Sequence, residues 1–409
     1  MSFIYKLKQT ITFRHILYFI ALNVMWPSVF SFIGWLPEFR TGSFMFATIC
    51  VVYLATKGSG RLPSAIRNII IVQTVTFLFY FLIHSDSSYL TRCFYLVVTT
   101  MLLMIQARRT KMEFVDTYLG WLTVQAVMGA IGFVLVYAGV LHAFSTFREF
   151  DGHIGQFYGL FTTAVDDASA GFLRVAGFFD EPGAFANWGV MALLFNKLLI
   201  NNNKIEKLLI VGLISTLSMA FFIQLIMYVF FFYRNKLSKT FTYIIVFIGI
   251  LTIIASVSPE LNHAIFGRFE VNEETGTLKG DNRTEHSIVC KKIWKTSPIV
   301  GVGGNNLINV GQQMGEFVGA NPYVFLASDG IVGQMVLWLP LFYLFTLRRY
   351  NKKFMYAAII IFVGFLQRPY DPTQLMYPLV LLMMSMEGYR TRFGEHGIKR
   401  SALTPYDDK

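Results

Sequence analysis

Arginines at the mouths of apolar segments are the residues in this chain best suited to chemistry. Arg174 opens the run Arg-Val-Ala-Gly-Phe-Phe-Asp-Glu-Pro-Gly-Ala-Phe-Ala-Asn187, which joins a polar loop to an apolar helix. Asp180 is placed to cap that helix, with Pro182 in its first turn where a missing N–H costs nothing. Arg283 begins a second run, Arg-Thr-Glu-His-Ser-Ile-Val-Cys-Lys-Lys-Ile-Trp-Lys-Thr-Ser-Pro298. Asp281 or Asn282 can cap a helix there whose Ile288, Val289, Ile293 and Trp294 lie against a membrane interface. A guanidinium holds phosphate oxygens with two parallel hydrogen bonds, which an ammonium cannot do. Arg174 and Arg283 are therefore the main candidates for a phosphate grip, with Arg268 and Arg368 as further members. The alternative is an arginine that only touches lipid headgroups.

The candidate bases are few. His286, beside arginines that keep its imidazole neutral, suits proton abstraction; a merely solvated loop histidine is the competing reading. Asp180 and Glu181 are rival bases, although helix capping also accounts for Asp180. Asp371 can pair with nearby Arg368 at a helix turn. Tyr158, Phe178, Phe179 and Tyr323 can stack on sugar rings or anchor at a membrane interface. No acidic pair is spaced for a divalent ion, so no metal or other cofactor is expected. Gly301-Val-Gly-Gly lacks the Lys-Ser/Thr of a nucleotide loop and reads as a turn back toward the membrane.

The elements that must position these residues are membrane helices. The 409 residues are 55% hydrophobic and only 14% charged, and apolar runs of bilayer length recur throughout. Helices are predicted near 13–35, 42–56, 67–84, 89–106, 117–141, 184–200, 208–233, 240–257, 323–346, 354–367 and 372–387. Segment 208–233 has basic clusters on both sides and breaks at Ser215-Thr-Leu-Ser218, so it reads as a short hairpin of two helices. The expectation is an all-α polytopic membrane protein of about twelve helices. Its single membrane domain, 1–409, carries two larger loops at 143–182 and 258–322 and a tail at 388–409.

With both termini cytoplasmic, 24 of the 35 basic residues fall on the inner side, as the positive-inside rule requires. The net charge of +11 then reflects topology and calls for no nucleic-acid partner. The first helix is too long and aromatic for a cleaved signal. The three cysteines, Cys50, Cys93 and Cys290, are scattered and imply neither a disulfide framework nor a metal site.

Three local patterns in this order resemble the O-antigen polymerase/O-antigen ligase family of bacterial cell-envelope glycosyltransferases. They are Arg174 to Asn187; Arg283 through Trp294 to Pro298 and Gly301-Val-Gly303; and Ala320-Asn-Pro-Tyr-Val-Phe-Leu-Ala-Ser-Asp-Gly-Ile-Val-Gly333. The Ser218-Met-Ala hairpin also looks like that family's short helix pair. Its ligases place a histidine directly before the Asn of the third pattern. Ala320 stands there in this chain, which favours a polymerase over a ligase acting on a lipid A core.

The resemblance implies a glycosyltransferase of the bacterial inner membrane, active on the periplasmic side. It would move an undecaprenyl-pyrophosphate-linked glycan onto an incoming lipid-linked repeat unit without a metal, with a chain-length regulator as a candidate partner. A transporter of lipid-linked sugars is the rival of a different class. It is disfavoured because no internal repeat and no buried charges along the spans are evident.

Overall fold

The computed structural model describes residues 12–25, 28–31, 33, 39–107, 112–148, 154–166, 172–234, 284–315, 318–374 and 376–385, with isolated positions between 249 and 262. The predicted helix 240–257, Arg268, Arg283 and the tail lie outside the described residues or are represented there only by isolated positions.

Helices dominate. In chain order they are α1 (Phe13–Val24), α2 (Phe39–Lys57), α3 (Ser64–His84), α4 (Ser88–Ala107) and α5 (Met112–Tyr137). After an intervening sheet come α6 (Pro182–Phe195), α7 (Asn203–Ile214) and α8 (Met219–Tyr233). The remainder are α9 (Thr284–Thr296), α10 (Gly304–Gln313), α11 (Val324–Thr346), α12 (Lys352–Gln367) and α13 (Met376–Ser385). Among the described residues, five helical stretches are long and apolar enough to cross a membrane: 64–84, 88–106, 113–137, 182–200 and 324–349. The many aliphatic and aromatic side chains exposed on their outer faces, such as Val75, Leu82 and Val134, fit a lipid solvent.

The structure departs from the sequence expectation at three places. First, the chain is not all-α: the loop after α5 folds into a four-stranded antiparallel meander, β1 (Ser145–Arg148), β2 (Ile154–Phe157), β3 (Thr162–Asp166) and β4 (Phe172–Gly177). Strands this short carry too little alternation to be read from sequence. Second, the expected helix 13–35 ends at Val24, with Met25 already extended; Pro27 follows two residues later in the sequence, and proline is common just past a helix end because it cannot continue the helix. A single 3-10 turn, Val29–Ser31, follows. Third, the α9 face turns inward: Val289 and Ile293 pack with Leu307 of α10 and Ala327 of α11, leaving Ile288 half exposed.

The hairpin breaks where expected. Asn202 caps α7 by accepting from the N–H groups of Lys204 and Ile205, and Leu217 takes a positive φ of 46° at the tip. The tip reaches the sheet, since Ser215 O accepts from Val175 N at 3.2 Å. The segment after α1 joins the same region, with Val29 N donating to Phe178 O at 3.0 Å. The start of α6, the ends of α5 and α12 and the start of α11 therefore share the end of the bundle that carries the sheet.

Candidate functional site at the sheet end of the bundle

Asp180 is not the cap of α6. That position is Glu181, and its side chain makes no capping bond. Asp180 is instead 5% exposed and faces Arg368, which follows α12: Arg368 Nη2 donates to Asp180 Oδ2 at 3.0 Å and Nη1 to Glu181 Oε2 at 2.6 Å. The Glu181 N–H also donates to Asp180 Oδ1 at 2.8 Å. Two carboxylates thus share one guanidinium. Burial pushes the Asp180 carboxyl up to about 7; Arg368 pulls it down and the Glu181 charge opposes that pull. Glu181 is the accessible member, its side chain 36% exposed against 10% for Arg368.

A second ion cluster adjoins the same loop. Asp371 does not pair with Arg368, three residues earlier. Its Oδ2 accepts from Arg92 Nε at 3.0 Å, and Arg92 Nη1 donates to Asp329 Oδ2 at 2.7 Å. Arg92 lies on the first turns of α4, 5% exposed, and Asp329 on α11 is fully buried. The guanidinium sits 5.1 Å from the Tyr89 ring and 5.3 Å from the Phe325 ring, so aromatic faces cover what the carboxylates leave. Tyr89 donates to Asp329 Oδ1 at 2.7 Å, and Tyr80 to the Asp329 carbonyl at 2.7 Å. Buried charges thus exist on the spanning helices, contrary to the sequence expectation. Lys197 beside Glu206 at the opposite end is another such pair. A lone arginine in the apolar run after Tyr89 was the available signal, because a charge inside a membrane segment is retained only for a reason.

The loop between the two clusters is fixed along its length. Tyr370 is buried and its hydroxyl accepts from Asn187 Nδ2 of α6 at 3.0 Å; burial pushes that phenol up to about 12. Asp371 Oδ1 accepts from Thr373 N at 2.9 Å. Arg368 and Asp371 thereby tie α12 to α6 and to the α4–α11 pair within four residues of chain.

The second and third sequence patterns interlock through backbone. Gly330 has a φ of 67° inside α11 and breaks its helical path. The freed groups are taken by the Pro298–Gly303 loop: Ile331 N donates to Pro298 O at 3.0 Å, Val302 N to Ala327 O at 3.0 Å and Gly303 N to Ser328 O at 2.8 Å. A Cβ at Gly301 would sit 2.2 Å from Ser328 O, and one at Gly330 would sit 2.2 Å from Ile299 O, so only glycine permits this approach. Asp86, between α3 and α4, secures the start of α10 by accepting from Asn305 N at 2.7 Å. Burial alone would raise its carboxyl, but the N–H donors of Ser88 and Asn305 hold it below the usual aspartate range.

Of the remaining candidates, Arg174 is half-buried on β4, paired in register with Ala164. His286 is half-buried on the first turn of α9. Tyr323, at the start of α11, packs its ring 6.5 Å from that of Trp294, with Lys291 Nζ 5.9 Å above it. Among the described residues no group of three or more His, Cys, Asp or Glu side chains is placed to hold a metal ion. The chain matches no protein-family model, no curated protein and no solved structure.

Proposed function

We propose that the protein is a membrane glycosyltransferase that polymerises undecaprenyl-pyrophosphate-linked oligosaccharide repeat units at the periplasmic face, as an O-antigen polymerase does. The observation that carries this reading is the convergence of charged and interlocking motif residues on one end of an apolar bundle. That end carries Arg174 on the sheet, the Arg368–Asp180–Glu181 cluster at the mouth of α6, and the Pro298–Gly303 loop locked into α11. Basic residues crowd the opposite end, with Lys57, Arg61, Lys204, Lys207, Arg348 and Arg349 at the corresponding helix ends, which favours an outward-facing sheet under the positive-inside rule.

In this scheme Arg174, with Arg268 and Arg283 from the large loop, holds the donor pyrophosphate and stabilises the charge that develops as it leaves. Arg368 is already engaged by two carboxylates, so its part is to orient Glu181. Glu181, or His286, takes the proton of the attacking sugar hydroxyl. The bond formed is glycosidic, the bond broken is that from the glycan's first sugar to pyrophosphate, and undecaprenyl pyrophosphate departs. Tyr323, beside Trp294, would stack on the acceptor sugar, and Asp180, buried against Arg368, would act on the substrate only through that arginine.

Replacing Arg174 or Arg283 by Ala is expected to abolish polymer while membrane insertion stays normal. Wild-type chain lengths in both variants would remove them from the mechanism. One observation favours a second reading: Arg92 and Asp329 are the kind of buried intramembrane charges that line transport paths. A transporter of the same lipid-linked sugars would move them without lengthening the glycan. A ligase would require a lipid A core acceptor.

A further inference from the structure

Away from the sheet end, the start of α1 and the end of α2 enclose an open groove of about 690 Å³. Its walls are Ile49, Val52 and the stacked rings of Phe13 and Tyr53, whose centroids are 6.0 Å apart. Its rim carries two cations, Arg14 and Lys57. Arg14 is held by Glu113 of α5, with Nη2 2.9 Å from Oε1, an engagement that leaves its other N–H groups for a further acceptor. Lys57 is exposed on the last turn of α2. Among the described residues, Arg14, Glu113 and Lys57 sum to one net positive charge over an apolar trough that lies along the sides of two apolar helices.

We propose that this groove binds one anionic phospholipid, an acyl chain lying against Ile49, Val52 and the Phe13–Tyr53 pair and the headgroup phosphate held by Lys57 and Arg14. Charge complementarity selects the occupant. A zwitterionic lipid brings a cation that cancels its phosphate charge, whereas an anionic lipid such as phosphatidylglycerol keeps a net negative charge, and each basic side chain at a membrane surface favours an anionic lipid by about 1 kcal/mol, roughly fivefold. The groove is of the size that small apolar ligands occupy, and the proposal is independent of the catalytic reading.

The test is native mass spectrometry of the full-length protein from mixed micelles with equal phosphatidylglycerol and phosphatidylcholine. The expected result is one retained phosphatidylglycerol, preferred by at least about fivefold. Lys57→Gln should bring the two lipids toward parity, and Val52→Trp, which fills the trough, should remove both. Arg67→Gln, an exposed cation on the next helix, should leave the preference unchanged. Added inorganic phosphate should not displace the lipid. Equal retention of the two lipids by the wild type would overturn the proposal, as would displacement by phosphate, an undiminished preference in Lys57→Gln, or undiminished retention in a folded Val52→Trp. Lys57 is exposed, so its replacement leaves the core intact and keeps the test decisive should Val52→Trp fail to fold.

Discussion

Each of the two arginines that anchor the sheet end faces a pair of carboxylates. With every group ionised, each cluster carries one surplus negative charge in a buried setting. Asp180 relieves this in its cluster by holding its proton up to about pH 7. Because the folded protein keeps that proton to higher pH than the unfolded chain, stability falls as pH rises from about 4 to about 7, and the loss is complete above that. Asp180→Asn should flatten this part of the thermal-stability profile while Glu181 still engages Arg368. Wild-type and variant curves that run parallel between pH 4.5 and 8 would rule the effect out. In the second cluster, Arg92→Ala leaves Asp329 and Asp371 buried without their cation. A loss of about 3–5 kcal/mol is expected, read as a lower unfolding temperature in detergent, with Arg92→Lys recovering part of it. The pairing was invisible in the sequence because the partners lie 237 and 279 residues away. Asp180 shows the same limit: its position before Pro182 suits a cap, and only the fold brings Arg368 to it.

At the level of elements, the glycines of the second and third patterns have a shared role. Gly301 and Gly330 each pass within van der Waals distance of the other's strand of backbone, so one contact accounts for both. Gly330→Ala places a side chain at positive φ and against Ile299 O, and should cost about 1–3 kcal/mol from backbone strain alone. Gly301→Ala should behave similarly, and the double variant should cost clearly less than the sum of the two, measured by thermal unfolding in detergent. Strictly additive losses would mean that the two glycines serve separate contacts. In the sequence only the Gly301 run reads as a turn, and the Ala320–Gly333 run as a helix entry; neither pattern specifies what it docks on, so the locked pair was not legible. The hairpin was legible for a simple reason: basic residues flank both ends of 208–233, and Ser215 to Ser218 interrupts its apolar run. The sheet was not, because four strands of four to six residues give no period long enough to register against the surrounding apolar composition.

For the whole molecule, hydropathy carried most of the architecture. Helices α3 to α6 and α11 fall close to the predicted segments because bilayer length imposes long apolar runs, whereas α1 stops at Val24, short of a prediction that followed the apolar run past Pro27. The chemistry gathered at the sheet end and the resemblance of three motifs support the proposed activity, the lengthening of a glycan on a lipid pyrophosphate carrier. The most direct measurement incubates the purified protein in detergent, where sidedness is lost, with undecaprenyl-pyrophosphate-linked repeat units and no other acceptor. The account predicts a ladder of lengthened glycans with release of undecaprenyl pyrophosphate, both lost in Arg174→Ala. Repeat units recovered at their starting length from folded wild-type preparations would contradict it.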